Sequence, residues 1–268
     1  MPNKSLSVAL ITLNEAMNLP RTLASLRFGP EIELEIVVVD SGSTDGTQAL
    51  ARAAGARVIE EAWKGFGAQK NSTIRHTTGA WILSLDADEE LSPALAEEIT
   101  ALLASEPPQN AYRIPRLNHF LGSPLRHGGY WPDPKLRLFR QGSAMFEERA
   151  VHEAMQLTPA ANGKMGQLRG HLIHHCYPTL EEYVEHMNRY SSAGARMLVE
   201  RDRAPRSLAA LFVQAVLNPA FTFLYNYVVR LGFLDGSAGL LQHLNHSAYI
   251  HWKYVKAWRL ARTATSSK

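Results

Sequence analysis

Cysteine is nearly absent: Cys176 is the lone example in 268 residues. That excludes an intrachain disulfide and, with no apolar leader behind Met1-Pro2-Asn3-Lys4, points to a reducing, cytoplasmic setting. The thiol itself reads as a buried side chain. No internal repeat, low-complexity tract or Gly/Ser linker interrupts the chain, and no second cysteine or paired histidine spacing on a helix supports a zinc site. Negative charge is scarce at one end. From Arg201 onward nine Lys or Arg face two acidic residues, so this segment carries +7 and the rest −4 of the net +3. The same segment is rich in Phe, Tyr and Trp, and its uncharged stretch from Ser207 to Val229 favours an anionic membrane surface over nucleic acid.

What remains is an ordinary globular composition, 46% hydrophobic, enough for one sizeable α/β domain plus an appendage. Strand-like and helix-like segments alternate through the first hundred residues. Strands are expected at Ser7 to Thr12, Leu34 to Val39, Arg57 to Ile59 and Ala80 to Leu85. Helices are expected at Glu15 to Leu26, Thr44 to Ala54, Gly67 to His76 and from Ser92, its cap, to Ala104. That alternation implies a doubly wound, mostly parallel sheet covered on both faces. After Pro107-Pro108 shorter strands are expected at Ala111 to Arg116 and Leu136 to Arg140, and then a helix from Leu180 to Val199.

Two acidic motifs carry the chemistry. Val37-Val38-Val39-Asp40-Ser41-Gly42-Ser43 and Leu83-Ser84-Leu85-Asp86-Ala87-Asp88-Glu89 are each an apolar run ending in a carboxylate, as expected of a buried parallel strand that stops at the ligand-binding edge of a sheet. Asp40 is either a carboxylate that accepts from a base or ribose or a turn aspartate. Asp86 and Asp88 can share one crevice, where oxygen ligands suit Mg²⁺ or Mn²⁺ and a diphosphate; the alternative is a solvated acidic loop. Lys70 and Asn71, in Gly65-Phe66-Gly67-Ala68-Gln69-Lys70-Asn71, either contact a nucleotide or open a surface helix. His171, His174 and His175 either complete a metal site begun by Asp88 or alternate along a strand without metal. Trp131 is a candidate sugar-stacking platform or a core aromatic.

Taken in order, Ser7 to Glu15, Val39 to Thr47, Gly65 to Asn71 and Asp86-Ala87-Asp88-Glu89 resemble the glycosyltransferases of family 2, inverting enzymes of the A-type nucleotide-sugar-transferase fold. To about residue 190 the chain is similar to the branch that assembles bacterial lipopolysaccharide core, often as β-1,4-glucosyltransferases. The resemblance implies Asp40 at the uracil or ribose of a UDP-sugar, Asp86 near the ribose and sugar, and Asp88 on a divalent cation (Mg²⁺ or Mn²⁺) with His174. Thr12, Asn14 and Glu15 would line the nucleotide pocket, and Arg149 would contact the donor phosphates. An inverting transfer needs a base for the acceptor hydroxyl. Glu147, Glu148 and Glu153 are the candidates, and the Leu136-Arg137-Leu138-Phe139-Arg140 and Val151-His152-Glu153 pattern of the branch favours Glu153, although the commoner Glu-Asp form is missing.

The expected organisation is a catalytic domain over residues 1–200, with a nucleotide-binding half at 1–105 and an acceptor half at 106–200, then a helical, membrane-associating extension at 201–268. Ser207 to Val229 is long enough to span a bilayer, yet Gln214, Asn218, Pro219 and Asn226 interrupt it. An interfacial or re-entrant helical hairpin is expected, against the alternative of a buried helix pair. The function expected is transfer of a hexose from a UDP-sugar to a lipopolysaccharide core or other lipid-linked acceptor at the inner face of the cytoplasmic membrane. A nucleotidyltransferase is the rival enzyme class, but its Gly-rich phosphate loop is replaced by Asn14-Glu15-Ala16. A non-catalytic sugar-nucleotide scaffold is the third class, and none of the acidic residues whose loss would favour it is missing.

Overall fold

The computed structural model describes residues 4–147, 154–161, 163 and 165–266. The chain packs as two units, Met1–Arg116 with Asp133–His174, and Leu117–Pro132 with His175–Lys268. These boundaries differ from a cut near residue 200: the 117–132 segment and the helix after Thr179 belong with the C-terminal helices, because Phe120, Leu125 and Tyr183 share a buried cluster with Ala238.

The first unit begins β1 (Ser5–Thr12), α1 (Leu19–Ala24), β2 (Glu33–Asp40), α2 (Thr47–Ala53), β3 (Arg57–Glu60), α3 (Phe66–His76), β4 (Trp81–Asp86), β5 (Glu89–Leu91) and α4 (Pro93–Ala104). Ser92 caps α4, its hydroxyl accepting from the Leu95 amide at 3.3 Å, and Pro93 sits at the first helical position where no N–H is needed. Next come β6 (Ala111–Ile114) and β7 (Arg116–Phe120), the second of which carries the chain into the other unit as far as β8 (Ser123–Pro124). On its return the first unit adds β9 (Lys135–Arg140), β10 (Ala144–Phe146), β11 (Met155–Leu157), β12 (Gly166–Gln167) and the start of β13 (Leu172–Tyr177).

Seven of these strands form one sheet in the order β12-β6-β9-β4-β1-β2-β3. The pairs β1·β2, β1·β4, β2·β3 and β12·β6 are parallel, while β9 runs antiparallel to β4 and β6. Alternation along the strands sorts side chains onto two covered faces. Val8, Leu10, Leu83 and Leu85 join Leu19 of α1 and Leu95 and Ile99 of α4 on one, while Ala9 and Ile82 join Ile74 of α3 and Phe139 on the other. This is the doubly wound, mostly parallel α/β arrangement. Pairing sets Thr12 opposite Asp40 and Ile11 opposite Asp86, so three functional strands end at one edge.

The second unit is mainly helical. After α5 (Leu180–Glu200), capped by Thr179, one helix runs from Leu208 to Val229, and α8 (Gly236–Ser266) completes the unit. The 208–229 helix consists of α6 (Leu208–Phe212), a π-turn over Val213–Leu217, α7 (Asn218–Leu224) and a second π-turn over Tyr225–Val229. Pro219 does not break it. Proline has no N–H to offer the Ala215 carbonyl four residues back; instead His251 of α8 donates to that oxygen from Nδ1 at 2.7 Å, and Ser247 donates to the Pro219 carbonyl at 2.8 Å. The interfacial or re-entrant hairpin expected within Ser207 to Val229 does not form, because Pro219 is accommodated: the run is one continuous helix, and it makes a hairpin with α8 instead. The fully buried alternative does not hold, since 11% of the most apolar 18-residue window is buried.

Candidate active site

Two loops at the carboxyl edge of the sheet are sewn together. Asp40 is fully buried, and its carboxylate takes five hydrogen bonds. Oδ1 accepts from the amides of Gly42 (3.1 Å) and Ser43 (2.8 Å) and from Gln48 Nε2 (2.7 Å), and Oδ2 accepts from the hydroxyls of Thr12 (2.7 Å) and Ser43 (2.5 Å). Burial alone would raise its pKa, but the bonds from Ser43, Thr12 and Gln48 outweigh that and lower it. Such a count fills the acceptor capacity of a carboxylate. The geometry thus assigns Thr12 and Asp40 to folding the loop. Asn14, at φ 56°, closes the seam: its amide donates to Ser43 Oγ at 2.8 Å and its Oδ1 accepts from the Thr44 amide at 2.9 Å. The Glu15 amide donates to Thr47 Oγ1 at 2.8 Å.

Beyond β4 the charges alternate in a chain. Lys70 Nζ lies 2.6 Å from Asp86 Oδ1, and Arg137 Nη2 lies 2.6 Å from Asp86 Oδ2 and 2.8 Å from Glu89 Oε1. Arg116 joins Glu89 at 3.1 Å to Asp133 at 2.7 Å, and Lys135 closes on Asp133 at 2.7 Å. Glu89 and Arg137 are buried, and Glu89 Oε2 also accepts from the Asp86 amide. Burial opposes ionisation of Asp86, but the charges of Arg137 and Lys70 override it and hold the carboxyl well below its usual range. Arg137 is likewise opposed by burial and kept protonated by Asp86 and Glu89. Buried charges persist only when paired in this way.

Asp88 stands outside that chain and meets His174, with Oδ2 and Nε2 3.2 Å apart. The meeting arises from register, because β13 pairs antiparallel with β5 and sets His174 opposite Glu89. Successive strand residues point to opposite faces, which is why His175 instead packs near His119 in the second unit, with ring centroids 5.2 Å apart and planes tilted by 56°. The backbone of His171 exchanges bonds with Ser92. Two neighbouring ligands of one six-coordinate ion at about 2.1 Å would be about 3 Å apart. One carboxylate oxygen and one imidazole nitrogen suit Mn²⁺ better than Mg²⁺, which takes oxygen ligands, with other positions left for water and phosphate. Among the described residues no group of three or more His, Cys, Asp or Glu gathers to hold an ion alone, so the fit requires ligands from the substrate. Glu15, half-buried nearby, has a raised pKa because of burial and then the repulsion of Asp88, Asp45 and Asp86, opposed by its bond from Asn18.

Asn71 and Trp131 lie in other surroundings. Asn71 faces β10, where its amide donates to the Phe146 carbonyl at 2.9 Å and accepts from the Phe146 amide at 2.8 Å. That spends the group on holding a strand in place of a ligand. Trp131 is half-buried in the second unit. Glu148, Arg149, His152 and Glu153 lie outside the described residues; Glu147 is described, its amide donating to the Ala154 carbonyl. Sequence reasoning missed Glu89, Arg116, Asp133 and Arg137 as site residues. A signal existed, since Arg137 interrupts the apolar strand Leu136-Arg137-Leu138-Phe139, and an arginine buried there demands carboxylate partners.

Residues 7–152, more than half of the chain, match the pattern of glycosyl transferase family 2. The chain is 31% identical over 271 residues to the lipopolysaccharide core biosynthesis glycosyltransferase LpsC of Rhizobium meliloti (strain 1021), an alignment covering 97% of this chain and 94% of that protein. It is 32% identical over 278 residues to an uncharacterised glycosyltransferase of Rickettsia conorii (strain Malish 7), covering 99% of this chain and 94% of the relative. In fold it is similar to the mannosyltransferase PcManGT of Pyrobaculum calidifontis, solved with GDP-Man and Mn²⁺, at a TM-score of 0.53 and 17% identity over 95% of this chain and 86% of that one. The parallel sheet, the acidic motif ending β4 and these matched residues together establish that the chain belongs to glycosyl transferase family 2 and has its A-type fold.

Proposed function

We propose that this glycosyltransferase moves a hexose, in the first instance glucose, from a UDP-sugar to a lipopolysaccharide core or other lipid-linked acceptor, with inversion and with a divalent cation, at the inner face of the cytoplasmic membrane. The observation that carries the reading is the meeting of Asp88 and His174 beside the Lys70–Asp86–Arg137–Glu89 chain. A cation held by Asp88, His174 and the donor diphosphate would neutralise the charge that grows on the leaving group. The loops joined through Asn14, Glu15, Asp40 and Ser43 would frame the nucleoside with backbone groups already in position. Asp86, kept ionised by Arg137 and Lys70, is suited to accept from a donor hydroxyl, and Lys70 to place positive charge beside the phosphates. Glu153 is assigned to proton removal from the acceptor hydroxyl on the family resemblance, Arg149 to the phosphates on its place beside that motif, and Trp131 to the acceptor sugar on its aromatic ring in a Gly- and Pro-flanked loop. The core biosynthesis role of LpsC supports the acceptor class.

The test is nucleoside diphosphate release from UDP- and GDP-sugars with Mn²⁺, Mg²⁺ or EDTA and a deacylated core oligosaccharide. One UDP-hexose should be turned over, only with metal, and Asp88→Ala and His174→Ala should each lower the rate by about 10²-fold or more. Metal-independent turnover, or a GDP-sugar as the preferred donor, would overturn the corresponding part.

A further inference from the structure

The 208–229 helix presents ten large apolar side chains to solvent: Leu208, Phe212, Val213, Val216, Leu217, Phe221, Leu224, Tyr225, Val228 and Val229. Leu208 is 74% exposed, Phe221 67% and Val229 66%. An uninterrupted α-helix, at about 100° per residue, would spread these positions over about 300° of its circumference. Each π-turn carries roughly one extra residue and rotates the later residues back by about 90°, so the ten side chains fall within an arc of about 150°. Gln214, Asn218, Thr222 and Asn226, four residues apart and half-buried, form a separate seam, and Ala215 and Pro219 are buried where His251 and Ser247 bond to the backbone. The polar residues that interrupt the sequence therefore leave one continuous apolar face.

Both ends of the hairpin are tied within the second unit. At the turn, the His127 amide and Nδ1 bond Asp235 at 2.9 and 2.7 Å, and the Gly128 amide donates to the Arg230 carbonyl at 2.8 Å. Toward its other end α8 is held by α5, where Lys256 Nζ donates to Asn188, Ser191 and Ser192. A spanning hairpin would drag α5, with Glu181, Glu182, Glu185, Arg189, Arg196 and Glu200, into hydrocarbon, at several kcal/mol for each charge. Exposed Arg201, Arg203 and Arg206, the last paired with exposed Asp202, stand just before the helix and exposed Arg230 just after it, so both ends keep a net positive charge complementary to anionic headgroups.

We infer that the 208–229 helix lies flat in the headgroup and acyl boundary of an anionic bilayer, immersed along this face and spanning nothing. The inference rests on the membrane localisation proposed above and adds the orientation; it does not depend on the donor or the acceptor.

The experiment uses the full chain with Cys176→Ser as background and a spin label at Leu208→Cys, Phe221→Cys, Val229→Cys or, on α8 and facing the 208–229 helix, Ser247→Cys. Flotation with phosphatidylglycerol-containing and phosphatidylcholine vesicles and depth measurement by oxygen and nickel-chelate relaxation are made without donor sugar. Expected are flotation with the anionic vesicles, equal shallow depths for the first three labels and no lipid contact for the fourth. Phe221→Glu should weaken flotation about tenfold while leaving nucleoside diphosphate release from the donor, with a soluble acceptor present, unchanged. A depth gradient from Leu208 to Val229 would establish a span and overturn the proposal. So would failure to float with a dimer in which Phe221 is protected, since a second copy would then cover the face. Loss of turnover in the parent protein with flotation intact would count against the transferase reading alone.

Discussion

At the scale of residues, charge decides what each carboxylate can do. Arg137→Met removes a cation shared by Asp86 and fully buried Glu89, leaving Glu89 with Arg116 alone. Breaking a buried pair from one side costs about 3–5 kcal/mol, which urea unfolding should record as a lower midpoint at unchanged slope. Glu35 offers the clearer pH dependence. Burial raises its pKa, but bonds from Arg57 (2.8 Å), Ser7 (2.5 Å) and the Thr78 amide (2.8 Å) together lower it from 4.5 to about 2. A lowered carboxyl pKa contributes stability that is complete above the unfolded value and lost as pH falls toward the folded one. Glu35→Gln should therefore cost about 1–2 kcal/mol at pH 7, allowing for screening of a part-exposed pair. The gap from the parent should close between about pH 5 and pH 2; a gap that stays constant with pH would refute the assignment. Asp86, Asp88, Lys70 and His174 were legible in the sequence because each sits in or beside a motif. The pairing of Glu89, Arg116 and Arg137 was not, because the partners come from strands separated by up to 51 residues; the sequence marks Arg137 as a charge in an apolar strand without saying which carboxylates meet it.

At the scale of elements, apolar runs and turn residues located the parallel strands well. β2, β3 and β4 lie within a residue or so of expectation. The first helix is shorter than its pattern, Leu19–Ala24 in place of Glu15 to Leu26, because Asn14 adopts a left-handed conformation and residues 14–16 spend their amides on the loop after β2. The sequence marked Pro219 and the mid-run amides as interruptions, and the π-turns that absorb them have no local signature. The repair of Pro219 makes a specific prediction. His251→Phe leaves the Ala215 carbonyl without its ring donor, at about 1–3 kcal/mol. Pro219→Ala restores an N–H to that carbonyl and should recover much of the loss. A double-mutant cycle by thermal unfolding checks it: additive effects would show that His251 and Pro219 act independently.

At the scale of the whole molecule, the sequence carries a basic C-terminal segment after an acidic remainder. The structure assigns the basic end to one helical unit that also recruits residues 117–132. That recruitment is tertiary, set by Phe120, Leu125 and Tyr183 packing with Ala238, and no composition shift announces it. The charge imbalance has a measurable consequence. Attraction of the +7 segment to anionic vesicles should weaken as salt rises from about 0.05 to 0.5 M, while the apolar face retains a residual, salt-independent part. Co-sedimentation across that range should level off above zero; complete release at high salt would show that charge alone holds the protein.

The five hydrogen bonds on Asp40 have a thermodynamic consequence for the ligand. A loop bonded to its own carboxylate has already given up its conformational freedom during folding, so a nucleoside bound there as proposed would have little of it left to remove. Calorimetry should then show an association whose entropy is governed by water released from the pocket, and hydrogen exchange at Gly42, Ser43 and Thr44 should be slow before any donor arrives and nearly unchanged after it does.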